Sequence, residues 1–286
     1  MTITGTSHVE EGGTEENAGL VLTNAQGTFD NKLSGKLDVD ITSSGALTWT
    51  GTNDYTGATI IRGDGLTLRT GHVLGTSASH TSKLTIESGA TVGFGTTNQY
   101  AGEIEALYDK ALAGLGSLTL DKGGVIGGAN AGYSGTVVVL DGDLAIRSAD
   151  ALGSGTANLS GTGAELVIDG VSGTDGAYAT VENVITGAGS VTVESDSVVQ
   201  LTGSNDFSGD LLVLGSLLAE NDVASHIGSG AVSIDETGSA VLNGSGNWTL
   251  SNKLTGTGEL SISANGGTFA FDHAKTAADD FTGTLK

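Results

Sequence analysis

The chain has 286 residues, with 48 Gly and neither Cys nor Pro, so it needs many turns and has no disulfide, thiolate metal site or cysteine nucleophile. Its 33 acidic residues against 11 basic ones give a formal charge of −22, which opposes nucleic acid and anionic membranes as partners. No apolar run reaches the roughly 18 residues of a membrane span, so direct membrane insertion is not expected.

Residues 1–30 are interpreted as a polar N-terminal segment that caps the domain. The opening Met1–Glu11 lacks the basic and apolar regions of a secretory signal, so any signal is expected to have been removed from this sequence. Residues 31–286 are interpreted as one repetitive domain.

Two signatures recur along residues 31–286. The first joins an aromatic residue to a glycine two positions later, and its copies follow one another at nearly constant spacing. They are Tyr55-Thr-Gly57, Tyr133-Ser-Gly135, Phe207-Ser-Gly209 and Phe281-Thr-Gly283. The sequence therefore contains tandem repeats of about 75 residues, a fixed period that is typical of repeat architectures. Because the fourth copy stops at Lys286, the chain is expected to be a fragment that ends inside a repeat.

The second signature precedes each aromatic residue and is rich in glycine. Its copies are Asn31-Lys-Leu33-Ser-Gly35, Ala111-Leu112-Ala-Gly114-Leu-Gly116, Val184-Ile185-Thr-Gly187-Ala-Gly189 and Lys253-Leu254-Thr-Gly256-Thr-Gly258. Between the signatures lie short apolar runs of about 4 to 6 residues bounded by Gly, Asn, Asp, Ser and Thr, which is typical of strands and turns.

These features predict an all-β fold, a right-handed parallel β-helix (solenoid) of about a dozen rungs. A coil of roughly 20 to 25 residues per turn would place three to four rungs in each copy. One stretch is ambiguous: the apolar spacing of Ile104, Leu107 and Leu115 within Gly102–Gly116 fits a short helix, whereas Lys110–Gly116 also matches the repeated turn.

The Asn-Asp-Tyr/Phe-Thr/Ser-Gly motif, followed by an apolar strand and a later Leu-Gly, resembles the autotransporter-associated β-strand repeat of Gram-negative type V secretion adhesins. The resemblance covers roughly Asn31 to Lys286. It implies a right-handed parallel β-helix passenger displayed on the outer membrane, similar to self-associating adhesins. The matching β-barrel translocator is not in this sequence and is expected to follow it in the full-length protein.

The one candidate binding motif is Arg62-Gly63-Asp64, an integrin-recognition tripeptide between Ile61 and Leu66. Tripeptides also arise by chance, and a turn that needs Gly and tolerates Asp explains the same residues. Integrin binding is therefore the weaker of the two interpretations.

Catalysis is not expected. The Asn-Asp or Asp-Asp pairs at Asn53-Asp54, Asn205-Asp206 and Asp279-Asp280 recur at one repeat position, which favours turn capping over acid and base roles. The five His show no ligand spacing. The acidic turns at Asp141, Asp143, Asp169 and Asp175 could bind Ca²⁺ weakly through their carboxylates, but they lack the pattern of a calcium β-roll, so solvated acidic residues are the favoured interpretation and no metal or cofactor is predicted.

The sequence thus predicts a cell-surface adhesin passenger fragment, exported through the periplasm and anchored to the outer membrane in the full-length protein. It would mediate aggregation, biofilm formation or host attachment by binding itself on neighbouring cells, or a host protein or glycan. The alternatives are a polysaccharide-processing β-helix enzyme and a passive stalk that assists folding.

Overall fold

The computed structural model describes residues 2–6, 18–29, 33–49, 54–55, 57–62, 66–68, 83–86, 91–94, 111–120, 124–272 and 280–286. Apart from turns and irregular segments, these residues form β-strands with two minor exceptions, a turn of 3-10 helix at Thr174–Gly176 and a four-residue helix α1 at Val223–His226. No helix in these ranges is long and apolar enough to cross a membrane.

The strands of the first half are β1 (Thr2–Thr6), β2 (Ala18–Phe29), β3 (Ser34–Gly35), β4 (Leu37–Trp49), β5 (Asp54–Tyr55), β6 (Thr59–Arg62), β7 (Leu66–Leu68), β8 (Lys83–Ile86), β9 (Thr91–Phe94), β10 (Ala111–Gly114), β11 (Ser117–Leu120), β12 (Gly124–Ile126) and β13 (Thr136–Val139).

The strands of the second half are β14 (Gly142–Ile146), β15 (Thr156–Leu159), β16 (Ala164–Ile168), β17 (Ala179–Val181), β18 (Val184–Gly187), β19 (Ser190–Val193), β20 (Val198–Leu201), β21 (Leu211–Val213), β22 (Ser216–Asn221), β23 (Val232–Ile234), β24 (Ser239–Ser245), β25 (Trp248–Leu250), β26 (Leu254–Gly256), β27 (Glu259–Asn265), β28 (Phe269–Phe271), β29 (Asp280–Phe281) and β30 (Thr284–Leu285).

The chain forms two compact units, Met1–Val138 with Leu152–Gly155, and Val139–Ala151 with Thr156–Lys286. In the first unit the long strand β4 contributes to two ladders of parallel strands. Its first half pairs with β6, which continues to β8 and β10, and its second half pairs with β7, which continues to β9 and β11. At the other side of β4 lies β2, whose outer neighbour β1 is antiparallel.

In the second unit three ladders of parallel strands run side by side. One pairs β15 with β18, one runs β14-β16-β19-β21-β23-β26-β29, and one runs β17-β20-β22-β24-β27-β30. Register partners in neighbouring strands of a ladder lie one turn of the coil apart. In the central ladder a short turn leads from Val191 to Leu211, and a longer one leads from Leu166 to Val191. The length of the turns therefore varies by only a few positions.

The core follows from the alternation of buried and outward-facing residues in most strands. In β16, Ala164, Leu166 and Ile168 are buried while Glu165 and Val167 face outward. Stacking brings the buried positions of successive rungs into one column, which runs Leu144, Leu166, Val191, Leu211, Val232 and Leu254. Since burial of one Leu, Ile or Val stabilises by about 1.5–3 kcal/mol, this alternation supplies most of the driving force for coiling.

The aromatic signature packs against the glycine signature that precedes it in the chain. Tyr55, Tyr133 and Phe207 are fully buried. The glycine two residues after each aromatic ring lies so close to the backbone of the earlier rung that an added Cβ would be less than 3.0 Å from a carbonyl oxygen. The glycine–carbonyl pairs are Gly57 with Leu37, Gly135 with Gly116, Gly209 with Gly189 and Gly283 with Gly258.

Successive copies of the repeat do not lie on the same face of the coil. In the second unit, Gly187 ends β18 and the next strand, β19, belongs to the central ladder. The equivalent Gly256 ends β26, which is itself in the central ladder, and the next strand, β27, belongs to the third ladder. One copy therefore spans three rungs plus one further face, so each copy is rotated by one face relative to the previous copy.

The all-β parallel solenoid predicted from the sequence is confirmed. The described strands make about nine turns, fewer than the predicted dozen. The helix considered for Gly102–Gly116 is wrong for its second part, because Ala111–Gly114 is strand β10, and residues 102–110 lie outside the described residues. The right-handed sense of the coil and the domain boundary at residue 31 stay predictions.

We expect Gly209→Ala to lower the free energy of unfolding by about 1–3 kcal/mol, because the new methyl group would collide with the backbone of Gly189 and force two rungs apart. The neighbouring exposed Ser208→Ala serves as the control and should change stability by less than about 0.5 kcal/mol. Urea unfolding followed by circular dichroism measures both. Equal stability of the two variants would contradict the close contact between Gly209 and the backbone of Gly189 as the reason for the glycine.

Burial raises the pKa of the Tyr133 phenol above its ordinary value of about 10, and the hydrogen bond that its hydroxyl donates to the Gly116 carbonyl oxygen at 3.2 Å also requires the neutral phenol. Because the folded state disfavours the phenolate, the stability that this group contributes is complete below pH 10 and is lost as the pH rises towards the folded pKa. Tyr133→Phe should therefore reduce the loss of stability between pH 8 and 11, while it costs about 1 kcal/mol at pH 7. Urea unfolding of both proteins across this pH range measures the effect. Parallel curves of the free energy of unfolding against pH would contradict the argument.

Candidate functional site

Of the predicted Arg62-Gly63-Asp64 tripeptide, the structure describes Arg62. Arg62 ends β6 and Leu66 begins β7, so the motif connects the two ladders of the first unit, but Gly63 and Asp64 lie outside the described residues. The Arg62 guanidinium donates through Nε to Asp40 at 3.1 and 3.2 Å and through Nη2 at 3.2 Å. Asp40 belongs to β4, one rung away, so Arg62 has a structural role independent of any receptor.

An ion pair of the same kind occurs in the second unit. Arg147 follows β14, and its Nε donates to Asp169, which follows the adjacent strand β16, at 2.8 Å. Side chains in both pairs keep between 29% and 46% of their surface exposed, so each pair contributes no more than about 1 kcal/mol. Arginine at a strand end thus joins neighbouring rungs in both units.

Arg62→Ala should reduce stability by less than about 1 kcal/mol, and Asp40→Ala should reduce it by a similar amount because both remove the same pair. Integrin-dependent attachment gives a separate test of the tripeptide. If the motif binds integrin, Asp64→Glu, which keeps the charge, abolishes attachment of cells that display the chain, and Asp40→Ala does not. Unchanged attachment of the Arg62→Ala and Asp64→Glu variants would eliminate the integrin hypothesis.

The Asn side chain in the third aromatic signature holds rungs together. Asn205 is buried, its Oδ1 accepts from the Ile185 N–H at 2.8 Å, and its Nδ2 donates to the His226 carbonyl at 2.7 Å. His226 in turn places Nδ1 2.9 Å from the Gly203 carbonyl oxygen. These contacts give Asn205 a structural role, but they join it to other rungs, whereas the sequence predicted that it caps its own turn. Asn53 and Asp279 lie outside the described residues.

A polar ladder crosses the outward face of the third sheet of the second unit. Gln200 donates to Glu220 at 3.3 Å, Asn243 donates to the other oxygen of Glu220 at 3.2 Å, and the Ser263 hydroxyl donates to Asn243 Oδ1 at 2.7 Å. These residues belong to β20, β22, β24 and β27, so the ladder spans four rungs. Beside it, Ser216 and Ser239 join hydroxyl to hydroxyl at 3.1 Å.

A shallow groove of about 480 Å³ lies on the central ladder of the second unit. Its residues come from the starts of β16, β19, β21 and β23 and from the turns before them, and they are mostly hydroxyl and carboxylate side chains. They are Thr162, Glu165, Ala188, Ser190, Thr192, Gly209, Asp210, Leu212 and Ser233. Thr192 donates its hydroxyl proton to Glu165, and Asp210 accepts from the Ala231 N–H at 2.9 Å.

Neither the ladder nor the groove was identified from the sequence. Both consist of common residues, Ser, Thr, Asn, Gln and acids, and they become neighbours only because rungs of similar length stack in one register. The sequence signal that could have indicated them is the polar member of each alternating strand, such as Glu165 in Ala164–Ile168.

The acidic residues considered for weak calcium binding have other surroundings. Asp169 pairs with Arg147, and Asp175 lies in the 3-10 turn with a positive φ of 56°. Within the described ranges, no three His, Asp or Glu side chains come together in a way that could hold a metal ion.

Comparison with known proteins finds similarity to two sequences. Over 101 residues the chain is 37% identical to the uncharacterized protein YuaQ of Escherichia coli. The alignment covers 35% of this chain and 7% of YuaQ. Over 193 residues it is 28% identical to the adhesin BmaC autotransporter of Brucella suis biovar 1. That alignment covers 67% of this chain and 5% of the Brucella protein. The chain therefore corresponds to a small part of each of these much longer proteins.

No family model matches the chain, and no solved structure matches it. The protein is a parallel β-solenoid that is distantly similar, over two thirds of its length, to an autotransporter adhesin.

Proposed function

We propose that this chain is part of the surface-exposed passenger of a Gram-negative autotransporter adhesin, anchored to the outer membrane in the full-length protein, and that it binds its partners without catalysis. The observation that carries the proposal is the polar ladder Gln200–Glu220–Asn243–Ser263 on a rigid parallel sheet. The similarity to an adhesin autotransporter supports it.

The ladder has the properties of an association surface. Its side chains are held by one another, so little side-chain entropy is lost when a partner binds. Along the same face Glu259 is paired with Lys286 at 2.6 Å, so the face carries little of the net charge. The whole protein has a charge of −22, so two copies repel each other. A second copy is repelled less by this face than by the rest of the surface.

The partner is a copy of the chain on a neighbouring cell, or a host protein or glycan. In the first case, aggregation and biofilm formation follow from pairing of ladder faces. Because the two copies repel each other electrostatically, self-association should strengthen as salt screens the repulsion, until screening also weakens the polar contacts.

Cells that display the chain through a suitable translocator should sediment faster at 0.15 M than at 0.01 M ionic strength, because the screening length is about 8 Å at the higher value and about 30 Å at the lower. Asn243→Asp should reduce sedimentation because it places a second carboxylate beside Glu220 and makes the ladder more acidic. Thr249→Asp, the control, adds the same charge at an exposed position of β25 and should leave sedimentation unchanged.

Sedimentation that never occurs at any ionic strength would rule out self-association and leave attachment to a host ligand. Cells that neither aggregate nor attach to host cells would favour the passive stalk. A polysaccharide-processing enzyme is the other alternative, and the groove that contains Glu165 and Asp210 is the observation that keeps it open. Release of reducing ends from a panel of polysaccharides would support the enzyme over the adhesin.

A further inference from the structure

The groove on the central ladder is suited to a linear ligand that lies along the coil. Its walls are formed by successive rungs, with spacing of about 4.8 Å, and by the turns at Thr162, Ala188 and Gly209. Its volume of about 480 Å³ falls within the range of about 300–1,000 Å³ typical of small-ligand sites. Four hydroxyl side chains, from Thr162, Ser190, Thr192 and Ser233, line it together with Leu212.

The two carboxylates that line the groove, Glu165 and Asp210, are fixed in position. Glu165 and Ser190 are register partners on consecutive rungs, and Asp210 lies beside Ser190 on the next rung. Hydrogen bonds from Thr192 and from the Ala231 N–H orient Glu165 and Asp210. In the part of the chain that the structure describes, no Lys or Arg forms an ion pair with either of these two carboxylates.

Charge excludes several occupants of the groove. A second copy of this chain, with a charge of −22, would be repelled, and so would nucleic acid and acidic glycans. An extended basic peptide could not add as a further strand, because the N–H and C=O groups of β16, β19 and β21 are already used between rungs. The remaining complementary ligand combines positive charge with many hydroxyl groups.

We propose that the groove binds a linear amino-sugar polymer whose amines are free and protonated. The ammonium groups lie against Glu165 and Asp210, and the sugar hydroxyls exchange hydrogen bonds with the Ser and Thr side chains. The sugar ring presents its apolar face to Leu212. This inference rests on the proposed adhesive function and names a ligand class for it.

Binding of the full chain to a β-1,4-linked glucosamine hexamer, measured by isothermal titration calorimetry, tests the proposal. The fully N-acetylated hexamer has the same backbone without the charge, and oligolysine has the charge without the sugar. We expect the glucosamine hexamer to bind more tightly than either and to weaken with added salt. Equal or tighter binding of the acetylated hexamer or of oligolysine, or no binding at all, would overturn the proposal.

Glu165→Gln and Asp210→Asn should each weaken binding of the glucosamine hexamer about 2- to 5-fold, as expected for removal of one partly exposed charge pair. Glu236→Gln, the matched control, removes the same charge from an exposed turn between β23 and β24 and should leave affinity unchanged. An equal loss in the control variant would mean that net charge, and not the groove, attracts the ligand.

The Ser190→Lys variant tests whether binding can be lost while the protein stays folded. The new ammonium group would lie between Glu165 and Asp210, so the variant should be at least as stable as the natural protein while binding of the hexamer is abolished. Retained binding would contradict the proposal. Cells that aggregate although the hexamer does not bind would remove the ligand assignment and leave the adhesive function in place.

Discussion

The close approach of one rung to the backbone of the next is the constraint on which this structure depends. In a parallel coil every strand must take its hydrogen bonds from the neighbouring turns, so the corners have to bring backbone against backbone. Gly57, Gly135, Gly209 and Gly283 lie at such corners, where a carbonyl oxygen of the preceding rung fills the space of a side chain. The high glycine content and the lack of proline are consequences of this geometry.

The buried aromatic residues complete each corner from the inside. Tyr55 places its hydroxyl 2.6 Å from Thr59 Oγ1 and Tyr133 donates to Gly116, whereas Phe207 fills the equivalent position with no polar group to satisfy. The corner therefore needs a ring, and a hydroxyl is accepted only where a partner stands opposite. This explains why the repeat tolerates both Tyr and Phe at one position.

Rotation of each copy by one face has a functional consequence. If the repeat were a whole number of turns, every copy would present the same side chains on the same face, and the surface would be a periodic array. Because successive copies move to the next face, each face combines residues from different parts of the repeat. The polar ladder and the groove are each built in this way, so they are local and unlike one another although the chain is repetitive.

Alternation of apolar and polar residues, the glycine corners and the constant spacing of the rings are visible in the sequence, and together they determined an all-β parallel coil with a particular set of buried residues. These sequence features depend on interactions within one rung or between a rung and its neighbour, which recur with every turn.

The sequence could not determine which outward-facing residues contact one another. Glu165 and Ser190, or Gln200 and Glu220, lie far apart in the chain and become neighbours only through the length of the intervening turn. For the same reason the sequence presents Arg62 as part of a receptor motif, and only the structure reveals its partner Asp40 one rung away. Stacking register is a property of the whole coil, and only the tertiary structure decided it.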